Sequence, residues 1–183
     1  MSLFVALLHA PVIDRHGMRI TASVTNLDLQ DIARSSKTFG AERYFVVHPS
    51  PDEQALNRRI VGHWKTGYGK TAHPSRSEAL DFLQLCSEFS EVESTVEELS
   101  GKKPLRIGTT ARLQGSKILS ISDCRAKIET EPVILVFGTG YGLTEEFLDS
   151  LDYLLPPISG PTDFNHLSVR SAVAIYLDRL RGR

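Results

Sequence analysis

Three stretches of the chain are apolar at nearly every position: LFVALLH at 3–9, RYFVVH at 43–48 and PVILVF at 132–137. A strand with one face in water alternates apolar and polar residues, whereas a strand covered on both faces does not. Such runs therefore demand helices on both sides of a sheet. The helices are legible between them. Residues Asn26 to Thr38 place Leu29, Ile32, Ala33 and Ser36 on one face, with Gly40 just past the end. Ser50-Pro51-Asp52-Glu53 has capping-box spacing with proline at the first helical position, which predicts a helix start. Ser75-Arg76-Ser77-Glu78 repeats that spacing and predicts a helix to about Phe89. Pro104–Thr109 and Tyr153–Leu155 read as further short strands. Near the end, Val169, Ala172, Val173, Tyr176, Leu177 and Leu180 form a single apolar stripe at helical spacing. Strands alternating with helices predict an α/β fold with a mostly parallel sheet flanked by helices.

At 183 residues and 41% apolar content the chain is expected to form one domain, residues 1–183, around a sizeable core. No apolar run approaches the ~20 residues of a membrane span, and two isolated cysteines, Cys86 and Cys124, fit a reducing cytoplasm. Cys86 reads as core on an apolar helix face. The six histidines show no HxxxH or HExxH spacing, so no metal site is expected. There is no GxSxG and no cysteine with an obvious catalytic partner.

Net charge is only −1, yet charge is segregated. Residues 58–76 carry Arg58, Arg59, Lys65, Lys70 and Arg76 without an acid, and residues 101–117 carry Lys102, Lys103, Arg106, Arg112 and Lys117, again without one. Between them, residues 77–98 hold seven acids and no Lys or Arg. That pattern suggests a face built for phosphate, solvated loops and an acidic helix face being the plainer reading. GYGKT at 67–71 ends like a nucleotide-binding P-loop, but Trp64 stands where the motif needs its first glycine. Its glycines are expected to bend a basic loop, with Trp64 and Tyr68 able to stack on bases. A plain connecting loop is the alternative.

The run at 132–137 ends in Gly138-Thr139-Gly140-Tyr141-Gly142. A strand that stops in a turn so poor in side chains lets backbone approach a nucleoside or phosphate closely. A dinucleotide site of the Rossmann kind would need this turn at the first strand, with more chain after it. Instead a second loop follows, LLPPISGPTDFNHLS, and a helix behind it.

The pair of loops resembles the C-terminal half of the SPOUT, or α/β-knot, methyltransferases. LVFGTGYGLTEEFL resembles their second motif, and LPPISGPTDFNHLSVRSAVAIYLDRL their third. DLQDIARSSKTFGAERYFVV resembles the first, Arg34 and Gly40 matching, and RIGTTAR at 106–112 resembles a strand end of the tRNA ribose methylators. Within the superfamily the chain looks nearest to the stand-alone tRNA (guanine-N1)-methyltransferase-like proteins. Ribose methylators carry Asn and Gly where this chain has Asp28 and Gln30, and a glutamate where it has Gly140. These departures bear on the ribose target more than on the cofactor.

The resemblance implies a C-terminal trefoil knot, a homodimer, an RNA substrate (tRNA or rRNA) and S-adenosylmethionine held by knotted loops. Its contacts would be Thr109, Thr110, Leu135, Phe137, Gly138, Thr139, Gly140, Gly142, Leu143, Leu155, Pro156, Pro157, Ile158, Asn165, Leu167 and Ser168. It makes Arg34 the group that activates the acceptor, with Asp163 and then His166 as proton acceptor if the target is a base nitrogen. For Asp163 and Asn165 the plainer role is helix capping. RNA would meet Arg58, Arg59, Trp64, Lys65, Tyr68, Lys70, Arg76 and Arg112. A non-catalytic RNA-binding module on the same fold is the rival reading.

Overall fold

The computed structural model describes residues 2–112 and 117–183. In chain order it holds β1 (Leu3–Leu8), β2 (Val12–Ile13), β3 (Arg19–Ile20), α1 (Asn26–Thr38), β4 (Arg43–Val47), α2 (Pro51–Lys65), α3 (Gly67–Ala72) and α4 (Pro74–Leu80). Then come β5 (Leu83–Cys86), α5 (Phe89–Ser100), β6 (Leu105–Gly108), α6 (Ile121–Thr130), β7 (Val133–Gly138), α7 (Glu145–Ser150), β8 (Tyr153–Leu154) and α8 (Val169–Arg181).

Six strands form one parallel sheet in the order β5-β4-β1-β7-β6-β8. Alternation along β1 shows why the strands read as continuous apolar runs. Leu3, Val5 and Leu7 enter one core with Leu29 and Ile32 of α1, Ile128 of α6 and Leu177 of α8. Phe4, Ala6 and Leu8 enter the other, with Val92 and Val96 of α5 and Leu148 of α7. Both faces are covered.

Caps set the helix starts. Thr25 and Asp28 form a reciprocal capping box on α1, Ser50 accepts from the Glu53 N–H on α2, and Ser168 accepts from the Ser171 N–H on α8. Asn165 is therefore not a helix cap.

Two expectations are corrected between 66 and 90. Residues 67–71 are helical, within α3, and do not form a bent loop. The Ser75 capping box does not form: the helix begins at Pro74 after His73 and stops at Leu80. Residues 83–86 then pair with β4 as an edge strand, so Cys86 sits at a strand end, and Phe89 opens α5 instead of closing α4. Short apolar runs such as LQLC suit either conformation, and pairing against β4 decides for the strand. The acids of 77–98 are consequently divided. Glu78 and Asp81 pair with Lys37 and Lys65, while Glu91, Glu93, Glu97 and Glu98 lie on α5, across the sheet.

His9, one residue beyond β1, is completely buried, and among the described residues neither ring nitrogen makes a well-formed hydrogen bond, the backbone of Ala22 being a polar neighbour. Burial pushes its pKa down to about 4 against the attraction of Asp28. The unfolded chain takes up this proton near pH 6.5 and the folded one does not, so stability is full above pH 6.5 and falls as pH drops toward 4. Urea denaturation across pH 4–8 should show a loss of roughly 3 kcal/mol over that window. His9→Phe should flatten the slope; an unchanged slope would contradict the assignment.

Candidate active site

Parallel strands expose their C-terminal ends along one edge of the sheet, where open α/β folds bind ligands. Here β1, β6 and β7 end side by side. Thr139, just past β7, sends both its N–H and its hydroxyl to the Leu8 carbonyl at 3.2 Å. Thr109, just past β6, does the same to the Val136 carbonyl at 3.0 Å. These paired bonds hold two turns open over the sheet edge.

The β7 turn is pinned from its outer side by the hairpin of β2 and β3. The Ile13 N–H donates to the Gly142 carbonyl at 2.9 Å, and the Tyr141 N–H donates to the Ile13 carbonyl at 3.0 Å. Val12 also bridges Leu143. Gly140 adopts φ +61°, and a Cβ there would lie 3.0 Å from the Ile13 carbonyl. At Gly138 a Cβ would meet the Leu143 side chain at 2.7 Å and its backbone nitrogen at 2.9 Å. Each glycine is thus required by a close approach of backbone.

The second loop, 155–168, closes the other side. The Leu155 N–H donates to the Gly108 carbonyl at 2.9 Å. The Tyr176 hydroxyl donates to the Pro156 carbonyl at 2.7 Å, and burial lifts its pKa to about 12, so it stays a donor. Asn165 Nδ2 donates to the Ala111 carbonyl at 3.0 Å, joining this loop to the one after β6.

Between the turns lies a cleft of about 680 Å³, within the range of cofactor sites. Of the expected cofactor contacts, its lining includes Thr109, Thr110, Phe137, Gly138, Thr139, Gly140, Gly142, Leu143, Ile158, Asn165, Leu167 and Ser168. Leu135, Leu155, Pro156 and Pro157 are not in the lining; Leu135 and Leu155 are fully buried core residues. Asp163, His166 and Arg112 line the cleft and are exposed. Arg34 does not line it: it projects from α1, half exposed, and pairs with Asp31.

The cleft also takes residues that were not expected to line it, among them Ile13, Ala22, Ser23, Thr25, Asp28 and Tyr141. Tyr141 belongs to the β7 turn; the others come from the hairpin, the residues after it and the start of α1. The two-residue strands of the hairpin, β2 and β3, are too short for a periodicity signal. Asp28 had one signal, its place in the first motif.

The expected RNA residues lie apart from the cleft, on α2, α3 and α4, Arg112 excepted. Trp64 is not free to stack: the Arg76 guanidinium covers its ring at 4.5 Å, and His63 and His73 meet it edge-on. Lys65 pairs with Asp81, and Arg58 donates to Gln54. Arg59, Lys70 and Tyr68 are exposed, Tyr68 by 84%. Among the described residues no group of three or more His, Cys, Asp or Glu is placed to hold a metal ion, and no helix is long and apolar enough to cross a membrane.

The profile of the SAM-dependent RNA methyltransferase family matches residues 2–182. The chain belongs to this family. The methyltransferase is 38% identical to an uncharacterized protein of Aquifex aeolicus over all of this chain and 89% of that one. It is 37% identical to a tRNA (guanine-N1)-methyltransferase of Oleidesulfovibrio alaskensis over 99% of this chain, but spans only 42% of that relative. Its fold is similar to that of the SpoU methyltransferase AviRb of Streptomyces viridochromogenes, solved in complex with AdoMet: TM-score 0.58, 17% identity, 98% of this chain and 56% of that one.

S-Adenosylmethionine, the cofactor of the family, fits what the cleft offers. Gly138 and Gly140 let Leu143 and Ile13 pack closely on the β7 turn, and Leu143, Ile158 and Phe137 supply apolar wall. Gly140→Val should lower S-adenosylmethionine affinity at least about tenfold by calorimetry, since it both strains a positive φ and presses on Ile13. Leu135→Ala should instead cost about 2–5 kcal/mol in denaturation, with cofactor affinity retained; loss of affinity without loss of stability would return Leu135 to the site.

Proposed function

We propose that the methyltransferase binds S-adenosylmethionine between the 138–143 turn and the 155–168 loop and methylates a base nitrogen of tRNA, guanine N1 being the preferred acceptor. The observation that carries this reading is the cleft itself, built from main chain at the carboxyl ends of β6 and β7. The cofactor brings an activated methyl group; the protein's work is alignment and accommodation of charge. Thr109 and Thr139 hold the turns rigid, Leu143 and Ile158 offer an apolar seat for an adenine, and Asn165 fixes the outer loop. Guanine N1 is favoured by the relative from Oleidesulfovibrio alaskensis and by Asp28, which replaces the asparagine of ribose methylators.

The trefoil knot belongs to this proposal. Bonds from Leu155 to Gly108 and from Asn165 to Ala111 tie the chain end against the loop after β6, as a threaded end requires. So does a homodimer. Leu27, Phe164 and Leu167 are 54%, 76% and 46% exposed, and Leu167 lines the cleft while Phe164 stands in its 163–168 rim. A second copy seated there would cover them and bring the Arg34 of one chain toward the other chain's cleft. Arg59, Lys70, Tyr68 and Arg112 supply exposed contacts to RNA phosphates and bases.

Nucleoside mass spectrometry on bulk tRNA incubated with the protein and S-adenosylmethionine tests the reading. The expected product is 1-methylguanine. A ribose-methylated product would shift the acceptor, and RNA binding with a steep salt dependence but no methyl incorporation would favour the non-catalytic module. Arg34→Ala should abolish turnover with cofactor affinity near normal; retained turnover removes its role.

A further inference from the structure

We propose that Asp28 accepts the proton from the acceptor nitrogen, an inference that rests on the base-methylation reading above. Guanine N1 carries a hydrogen at neutral pH, and its electron pair becomes available for bonding as that N–H bond breaks. A side chain within hydrogen-bond reach must take the proton. Three carboxylates line the cleft: Asp28, Glu145 and Asp163.

They differ in how deeply they are buried. Glu145 and Asp163 are exposed. Asp28 is 7% exposed and held on a helix. Its Oδ2 accepts from the Thr25 hydroxyl at 2.6 Å and from the Thr25 N–H at 3.4 Å, its own N–H donates to Thr25 Oγ1 at 3.2 Å, and its carbonyl accepts from the buried Tyr44 hydroxyl at 3.2 Å. The capping box thus uses one carboxylate oxygen. The other, Oδ1, has no hydrogen-bond partner among the described residues, and it is not one of the sealed, unpartnered interior atoms. Asp28 lines the cleft, and Oδ1 is the oxygen its capping box leaves for a substrate.

Among the described residues no Lys or Arg forms an ion pair with Asp28, and burial keeps the nearby His9 neutral. Asp152 shows the contrast. Its carboxylate is gripped by Arg106 through both Nη2 and Nε, which holds its pKa below the usual carboxylate range, and such a group is a poor proton acceptor.

The balance is simple. The N1–H bond breaks and its proton passes to Oδ1, the N1 electron pair forms the N–CH₃ bond, and the C–S bonding pair stays with sulfur. A sulfonium becomes a thioether and a carboxylate becomes a carboxylic acid, which returns its proton to solvent as product leaves.

Asp28→Asn keeps the shape and leaves an oxygen to accept the Thr25 bonds. It should lower kcat on bulk tRNA by about 100-fold or more. Affinities for S-adenosylmethionine and for tRNA, both by calorimetry, should stay within about twofold, and Asp28→Glu should recover part of the loss. Turnover of Asp28→Asn within about threefold of the unaltered protein overturns the assignment. So does a kcat loss that comes with lost cofactor affinity or a lowered thermal midpoint, which would make Asp28 structural. An unaltered protein that forms no methylated base in the same assay defeats the underlying reading, and this inference falls with it.

Discussion

Parallel pairing of β7 between β1 and β6 is the constraint on which the site depends. It brings residues near 8, 108 and 138 to one sheet edge although they lie far apart in the chain. The threonine bonds to Leu8 and Val136 then extend the ladder by one residue at each end. The turns beyond start from fixed positions, and the cleft inherits its shape from the sheet. Because that sheet is buried on both faces, its strands cannot slip without exposing a core.

A cleft built this way recognises its ligand through backbone and contour more than through particular side chains. The glycines matter for what they omit: Gly138 and Gly140 allow Leu143 and Ile13 to come within van der Waals contact of the β7 turn. The hairpin of β2 and β3 is the least expected part. It hydrogen-bonds to the turn from outside and contributes Ile13 to the lining, so one short element both braces the β7 turn and borders the cleft. The start of α1 adds to the lining, where the capping box that begins the helix includes Asp28 of the cleft.

Much of the sheet was legible because its central strands are apolar throughout, and α1 and α8 because each carries an apolar stripe at helical spacing. The glycine turn and the 155–168 loop were legible as a pair because motif spacing survives without geometry. What escaped had physical reasons. LQLC at 83–86 carries no signal that separates strand from helix, and only its pairing with β4 assigns it. The hairpin is held by contacts with residues about 130 positions away, which no local pattern encodes. Leu135, inside β7, and Leu155, one residue past β8, belong to the right motifs, yet both are fully buried in the core. Trp64 has the right chemistry for stacking on a base, but the fold places Arg76 on its face.

The central claim is that two main-chain turns at the ends of β6 and β7 hold the cofactor. A crystal of the protein grown with S-adenosylmethionine tests it most directly. The account predicts density between Gly138–Leu143 and Ile158–Ser168, with main-chain groups of the turns bonded to the nucleoside. Density in the separate cleft of about 770 Å³ beside Pro11, Phe89 and Phe147, with the turns left empty, would contradict it.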